Sequence, residues 1–378
     1  MIGAVENNPF AYERAFSEIK RLSSAGLEGH ELLRRAAQSM KRAVPFGSYC
    51  VATVDPASNL LTHVLNGGSA GQDGHADVYG EVLHRMYFEE DLGRLASMLH
   101  ERRPAQPLSE ATGRVLDSSL RYREYLGPVG YGHELAGLFA DGGLWRAGYF
   151  TREAGEHDFG PAEVSLLARV APYVGAGMKA AALCSKAKDG RRGSDVTGVV
   201  TLDRNGRVVS YTPAVESLLL EVEDLRPARE QGRIPVSIEM TVGALKRALD
   251  PVSDGDHNLV PRVRLRGRSG RWLTLHASFT EATQERPSET VVVIAPSEPE
   301  EVVQLNVTSY GLTPRQEKIV KHIARGRSTR HISGALFISK HTVHNHLRSV
   351  FEKTGVHSRR ELVQRLFSED ILPDTLGN

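Results

Sequence analysis

Between residues 339 and 354 the sequence SKHTVHNHLRSVFEKT sorts two kinds of side chain onto opposite sides of a helix. At about 3.6 residues per turn, Val343, Leu347, Val350 and Phe351 fall on one face and must pack inward. Lys340, His341, His344, Asn345 and Arg348 fall on another. That second face holds donors and acceptors, no aliphatic side chain and no acid. Such residues suit contact with base edges in the ~12 Å major groove of a duplex. Arg348 can bond bidentately to guanine and Asn345 to adenine, and the two imidazoles donate or accept according to tautomer. Ser339 is placed to cap the helix, which leaves the positive helix end free to meet phosphate. Lys353, near the other end, is a further phosphate candidate.

The flanking sequence supplies the elements that would position this helix. Thr313-Pro-Arg-Gln316 is a capping box with proline at the first helical position. Ile319, Val320 and Ile323 form the apolar face behind it, and Gly326 stands where a left-handed residue is needed. Ser328 opens a short second helix to about Leu336, with Ile332, Ala335 and Leu336 expected inward. Gly355 stops the third helix after Thr354. Ser358-Arg-Arg-Glu361 is another capping box. It begins a fourth helix whose apolar stripe is Leu362, Val363, Leu366 and Phe367. From Tyr310 to Phe367 twelve lysines and arginines stand against three glutamates, a net +9, and six of the fifteen histidines fall there. The first 309 residues carry a net −5. A near-neutral total thus hides a basic module on a mildly acidic body, the footprint of a polyanion binder.

Leu312-Thr-Pro-Arg315, Ile338-Ser-Lys-His-Thr-Val343, His346-Leu347 and Phe351-Glu-Lys-Thr-Gly-Val356 resemble the LuxR/GerE-type helix-turn-helix nearly end to end. The resemblance implies a four-helix domain over 308–370 whose third helix lies in the major groove. It implies that His344, Asn345 and Arg348 face bases and that Thr342 and Lys353 meet the backbone. It also implies a homodimer contact through Leu362, Val363 and Leu366. The chain departs from the family pattern at Gln316, Lys318 and His331, where glutamate is usual. The change at His331 puts an internal ion pair of the family in doubt.

The rest of the chain reads as multidomain α+β. Polar, glycine-rich residues 186–195 and acidic, proline-bearing residues 296–301 are expected to be linkers. In the first block, helices are expected over 11–24 and 28–43, the second ended by Pro45. A hairpin follows at 49–65, then helices near 78–88 and 92–100, and a second hairpin across Asp141-Gly142-Gly143. A long helix from Pro161 closes the block. The order resembles a GAF domain over 1–185. The second block begins with a hairpin at Asn205-Gly206, continues with helical stretches, and ends in strands over 262–265, 272–279 and 290–294. That order is similar to a PAS domain over 196–296. The whole is also similar to actinobacterial regulators that join sensor-like domains to such a module.

Other classes are disfavoured. Cys50 and Cys184 give neither a disulfide framework nor a C-x-x-C metal site and fit a reducing cytoplasm. No apolar run approaches the ~20 residues of a membrane span, and the first ten residues lack the form of a signal peptide. There is no P-loop, no nucleophile elbow and no H-E-x-x-H spacing among His63, His84, His100, His133 and His157. Asp203 ends a strand without the upstream acidic pair of a receiver domain, and Trp145 and Trp272 do not fit an acyl-homoserine lactone sensor. No enzyme, cofactor or metal is expected; a small ligand in the front blocks is left open, with Tyr122, Tyr125, Tyr131 and Trp145 as pocket or core residues. The expected partners are duplex DNA, a second copy and RNA polymerase. The rival reading is a signalling or scaffold protein whose helical tail binds protein.

Overall fold

The computed structural model describes residues 9–68, 81–141, 143–184, 196–222, 234–249, 261–267, 271–283, 287–298, 301, 310 and 312–367. They form two compact units, one running to Pro296 and the other from Ser297 onward. The expected linker at 186–195 and the start of the helix expected at 78 lie outside the described residues, as does part of the linker at 296–301.

The first unit holds two five-stranded antiparallel sheets with helices, so the chain is mixed α+β. Helices α1 (Pro9–Ser23) and α2 (Gly29–Lys41) precede hairpin β1 (Ser48–Val54) and β2 (Leu61–Gly68). The second helix ends at Lys41: the Val44 N–H still bonds the Met40 carbonyl at 2.8 Å, and Pro45 has no N–H to give the Lys41 carbonyl, so the proline ends it as expected. Helix α3 (Glu81–Met86) runs through a single π turn, Tyr87–Asp91, into α4 (Leu92–His100). Strand β3 (Ala105–Pro107), α5 (Leu108–Ala111) and a second π turn, Tyr122–Leu126, lead to hairpin β4 (Tyr131–Ala140) and β5 (Leu144–Glu153). The 24-residue α6 (Pro161–Cys184) follows. The strand order is β2-β1-β5-β4-β3.

Both faces of this sheet are covered, which explains the nearly continuous burial along β4 and β5. One face packs against α1, α2 and α6 through Leu135, Phe139, Trp145 and Phe150. Trp145, 2% exposed, is a core residue. Tyr131 packs with Leu108 and Leu126, with Tyr122 and Tyr125 at the margin. The other face meets Tyr87, Phe88, Leu95 and Met98.

The second sheet comprises β6 (Gly198–Leu202), β7 (Val208–Tyr211), β8 (Arg262–Arg266), β9 (Trp272–Phe279) and β10 (Thr290–Pro296), in the order β7-β6-β10-β9-β8. This order repeats that of the first sheet. Burial alternates along β6, β8, β9 and β10, as in a sheet with one buried face. Helices α7 (Ala214–Glu221) and α8 (Val236–Ala248) cover that face.

Helix α8 serves both sheets. Ile238, Val242 and Leu245 join the second sheet's core. Met240 and Ala244 join the core of the first. At Gly243 a Cβ would stand 2.3 Å from the His84 ring and 2.5 Å from Phe88, so only glycine permits this approach. Asp55, 1% exposed at the end of β1, accepts from the Arg264 backbone N–H at 3.1 Å. His63 Nε2 lies 2.9 Å from the Val222 carbonyl. The two sheets therefore share buried chemistry and do not stand as beads on a string. No helix among the described residues is long and apolar enough to cross a membrane.

Candidate nucleic-acid interface

The second unit contains α9 (Pro314–Ala324), α10 (Thr329–Ala335), α11 (Lys340–Thr354) and α12 (Arg359–Phe367). Each boundary has a local cause. Thr313 accepts from the Gln316 N–H at 3.3 Å while Gln316 Oε1 accepts from the Thr313 N–H at 2.9 Å, a reciprocal capping box. Ser328 accepts from the His331 N–H and Ser339 from the Thr342 N–H. Gly326 and Gly355 take φ of +71° and +65° just past their helices. Ser358 accepts from the Glu361 N–H at 3.1 Å, and Glu361 reaches back to the His357 N–H at 2.9 Å, one residue further out than the usual box.

The apolar face of α11 is the hub of the unit. Val343 and Val350 are fully buried and Leu347 nearly so; they meet Ile319, Val320 and Ile323 of α9 and Ile332 of α10. Phe351 is half-buried at the edge. Ala335, expected inward, is exposed: α10 ends there, and Leu336 beyond it makes the inward contact instead. Phe337 follows at φ +52° and 95% exposed.

Lys340, His341, His344, Asn345 and Arg348 are all exposed on the opposite side of α11. The only acid within reach of this face among the described residues is Glu352, 3.4 Å from Arg348 in an exposed i, i+4 pair. Such a pair contributes little and yields readily to a stronger partner. The Ser339 hydroxyl also lies 2.9 Å from the Thr342 hydroxyl, so both side chains are engaged at the cap. Lys353 donates to Gln316 Oε1 at 2.9 Å. Beside α11 runs a groove of about 600 Å³, lined by His344, Arg348 and Phe351 and by His357 and Arg359. Sequence spacing did not single out the last two, because Gly355 turns the chain back toward the helix. Arg359 is tied down, donating to the Arg327 carbonyl at 2.6 Å.

The electrostatics agree with the charge count. The His322 imidazole is pushed down by desolvation and then by the neighbouring Arg327, Arg325 and His331. A proton is disfavoured where positive charge is already dense.

Leu362 is fully buried in the unit's own core, so it is not available for a contact between copies; it closes the base of the four-helix cluster. Val363 is half-buried. The side chains of Leu366 and Phe367 lie outside the described residues.

Residues 310–366 match the family model "Bacterial regulatory proteins, luxR family". Over 55 residues the chain is 34% identical to the spore germination protein GerE of Bacillus subtilis (strain 168), covering 15% of this chain and 74% of that protein. The chain belongs to the luxR family of bacterial regulatory proteins. The luxR module is the helix-turn-helix described above, with α11 as its third helix. Among solved structures, the phage VqmA–DPO complex is similar at 22% identity and TM-score 0.16, covering 30% of this chain and 58% of that one. The chain thus spans little more than half of that protein's length. The VqsR LBD domain from Pseudomonas aeruginosa is similar at 14% identity and TM-score 0.30, covering 45% of this chain and 96% of that one.

Proposed function

We propose that this luxR-family protein is a sequence-specific, signal-responsive transcription regulator acting on duplex DNA in the cytoplasm. One observation carries the reading: α11 turns Val343, Leu347 and Val350 into the core and leaves Lys340, His341, His344, Asn345 and Arg348 exposed. In this reading those five side chains read base edges, with Arg348 on guanine and Asn345 on adenine. Ser339, Thr342 and Lys353 meet phosphates. Two copies place their third helices in successive major grooves, about 34 Å apart, on an inverted repeat. Val363, half-buried on α12, lies in the contact between copies. RNA polymerase is the further partner of the bound dimer.

The front unit is read as a GAF-like block over 1–185 and a PAS-like block over 196–296, receiving the signal. The repeated strand order and the helix shared by the two sheets support a unit that passes a change in one sheet to the other. The test is duplex binding by the full chain across a salt series. Affinity should fall linearly on logarithmic axes, because phosphate neutralisation releases counterions. An affinity indifferent to salt and to DNA sequence would instead favour a helical module that binds protein.

A further inference from the structure

A second concentration of polar chemistry lies beneath the first sheet, remote in sequence from the helix-turn-helix. Arg121, 5% exposed, donates from Nε to Glu134 Oε2 and from Nη1 to Asp91 at 3.1 Å. Its guanidinium stands 4.2 Å from the centre of the Tyr149 ring. The Arg94 side chain, 8% exposed, donates from Nη1 to the other oxygen of Glu134 at 3.1 Å and from Nη2 to the Gln106 carbonyl at 3.0 Å. Two carboxylates and two guanidiniums thus share a nearly water-free site. Asp91 Oδ1 and Arg94 Nε have no hydrogen-bond partner among the described residues. A buried ionic set stabilises a fold no better than apolar packing would, and orphaned polar atoms make it worse. Stability alone therefore does not account for it.

Arg94 is also part of the lining of a cleft of about 470 Å³, within the roughly 300–1,000 Å³ range of small-molecule sites. Glu90, Arg94 and Ser97 come from the α4 side, and Gln106, Ser119 and Arg123 from the segments opposite. With Glu89 at the rim, the lining carries two acids, two bases and otherwise uncharged side chains.

We propose that this cleft binds a small zwitterion, an α-amino acid or a close relative. The proposal rests on the reading of the front unit as the signal-receiving part. A lining with balanced charge leaves a net cation or anion uncompensated, whereas a zwitterion finds both partners. A guanidinium has five N–H groups. Arg94 uses one N–H of each terminal nitrogen on Glu134 and Gln106, and the second N–H of each remains for a ligand carboxylate. Glu90 accepts from the Ser119 hydroxyl at 2.6 Å and the Arg121 N–H at 3.1 Å. Each of its oxygens retains a second lone pair for an ammonium. Through Glu90 and Arg94 an occupant would act on Arg121 and Glu134, and so on the strands that carry them.

The test uses the full chain and each of the twenty common L-amino acids in turn, by thermal melting and calorimetry, with acetate and methylammonium as single-charge controls. At least one amino acid should raise the melting temperature. Its affinity should fall tenfold or more in Glu90→Gln, which removes the charge that meets the ammonium, and less in Arg123→Ala at the exposed rim. The controls should shift nothing. No response to any amino acid overturns the proposal; so does an equal response to acetate, or undiminished binding by Glu90→Gln. Duplex affinity is measured separately. Amino-acid binding that leaves it unchanged upholds the cleft and removes only its role in signalling.

Discussion

Lys353 donates from Nζ to Oε1 of Gln316 across 2.9 Å, joining the last turn of α11 to the first turn of α9. This partner is a neutral amide, so the bond brings no negative charge to the ammonium. A glutamate at 316 would neutralise it. Gln316→Glu should therefore weaken duplex binding a few-fold at low salt and less at high salt, where screening shrinks both effects. Titrations at two salt concentrations check this; equal affinity at low salt would mean that Lys353 meets no phosphate.

Gly355 holds φ +65° with no atom of the described residues within 4 Å of an added Cβ. Only backbone strain opposes alanine there. Gly355→Ala should cost about 1–2 kcal/mol in the C-terminal module without a clash. Urea melts followed by a probe in that module give the value, and base preference should be unaltered.

Leu362 and Val363 are adjacent in sequence but differ in what they touch. Leu362→Ala empties a fully buried site and should cost about 2–5 kcal/mol. Val363→Ala removes less packing and, if the copies meet through this stripe, should weaken self-association more than folding. Sedimentation alongside melting separates the two effects.

Asp91 gives a pH signature to the front unit. Burial pushes its carboxyl up to about 6, against the downward pull of Arg121. A carboxyl that titrates higher in the folded state than in the unfolded binds a proton on folding. Its stabilising contribution is complete below the unfolded pKa of about 4 and is lost as pH rises through 6. The stability of wild type relative to Asp91→Asn should thus decline from pH 4 to 7. Paired denaturation curves measure it, and a flat difference would show that Asp91 titrates normally.

The helix-turn-helix was legible because its signals are local. Thr313, Ser328, Ser339 and Gly355 each mark a boundary by chemistry within a few residues, and the structure uses all four. The Asn205-Gly206 turn was legible for the same reason, with Gly206 at φ +77°. What escaped was long-range or lacked a pattern. Arg121, Asp91 and Glu134 are 30 and 13 residues apart, so no spacing rule joins them. The two π turns have no composition of their own. Helix α8 is buried on nearly every side because it faces two sheets, and a one-sided periodicity could not reveal that. Ala335, the last residue of α10, escaped because Ile332 and Leu336, four residues apart, define the inward line and leave it to one side.

Arg348 is the most direct probe of the α11 surface. Its side chain is 85% exposed and, among the described residues, held only by the 3.4 Å pair with Glu352, so its removal disturbs little of the fold. The decisive measurement is selection of duplexes from a random pool by the full chain, in parallel for wild type and Arg348→Ala. Wild type should enrich an inverted repeat. The variant should lose about 1–3 kcal/mol of affinity and relax one base position in each half-site. An identical motif bound with identical strength by both proteins would show that α11 does not read the bases through this face.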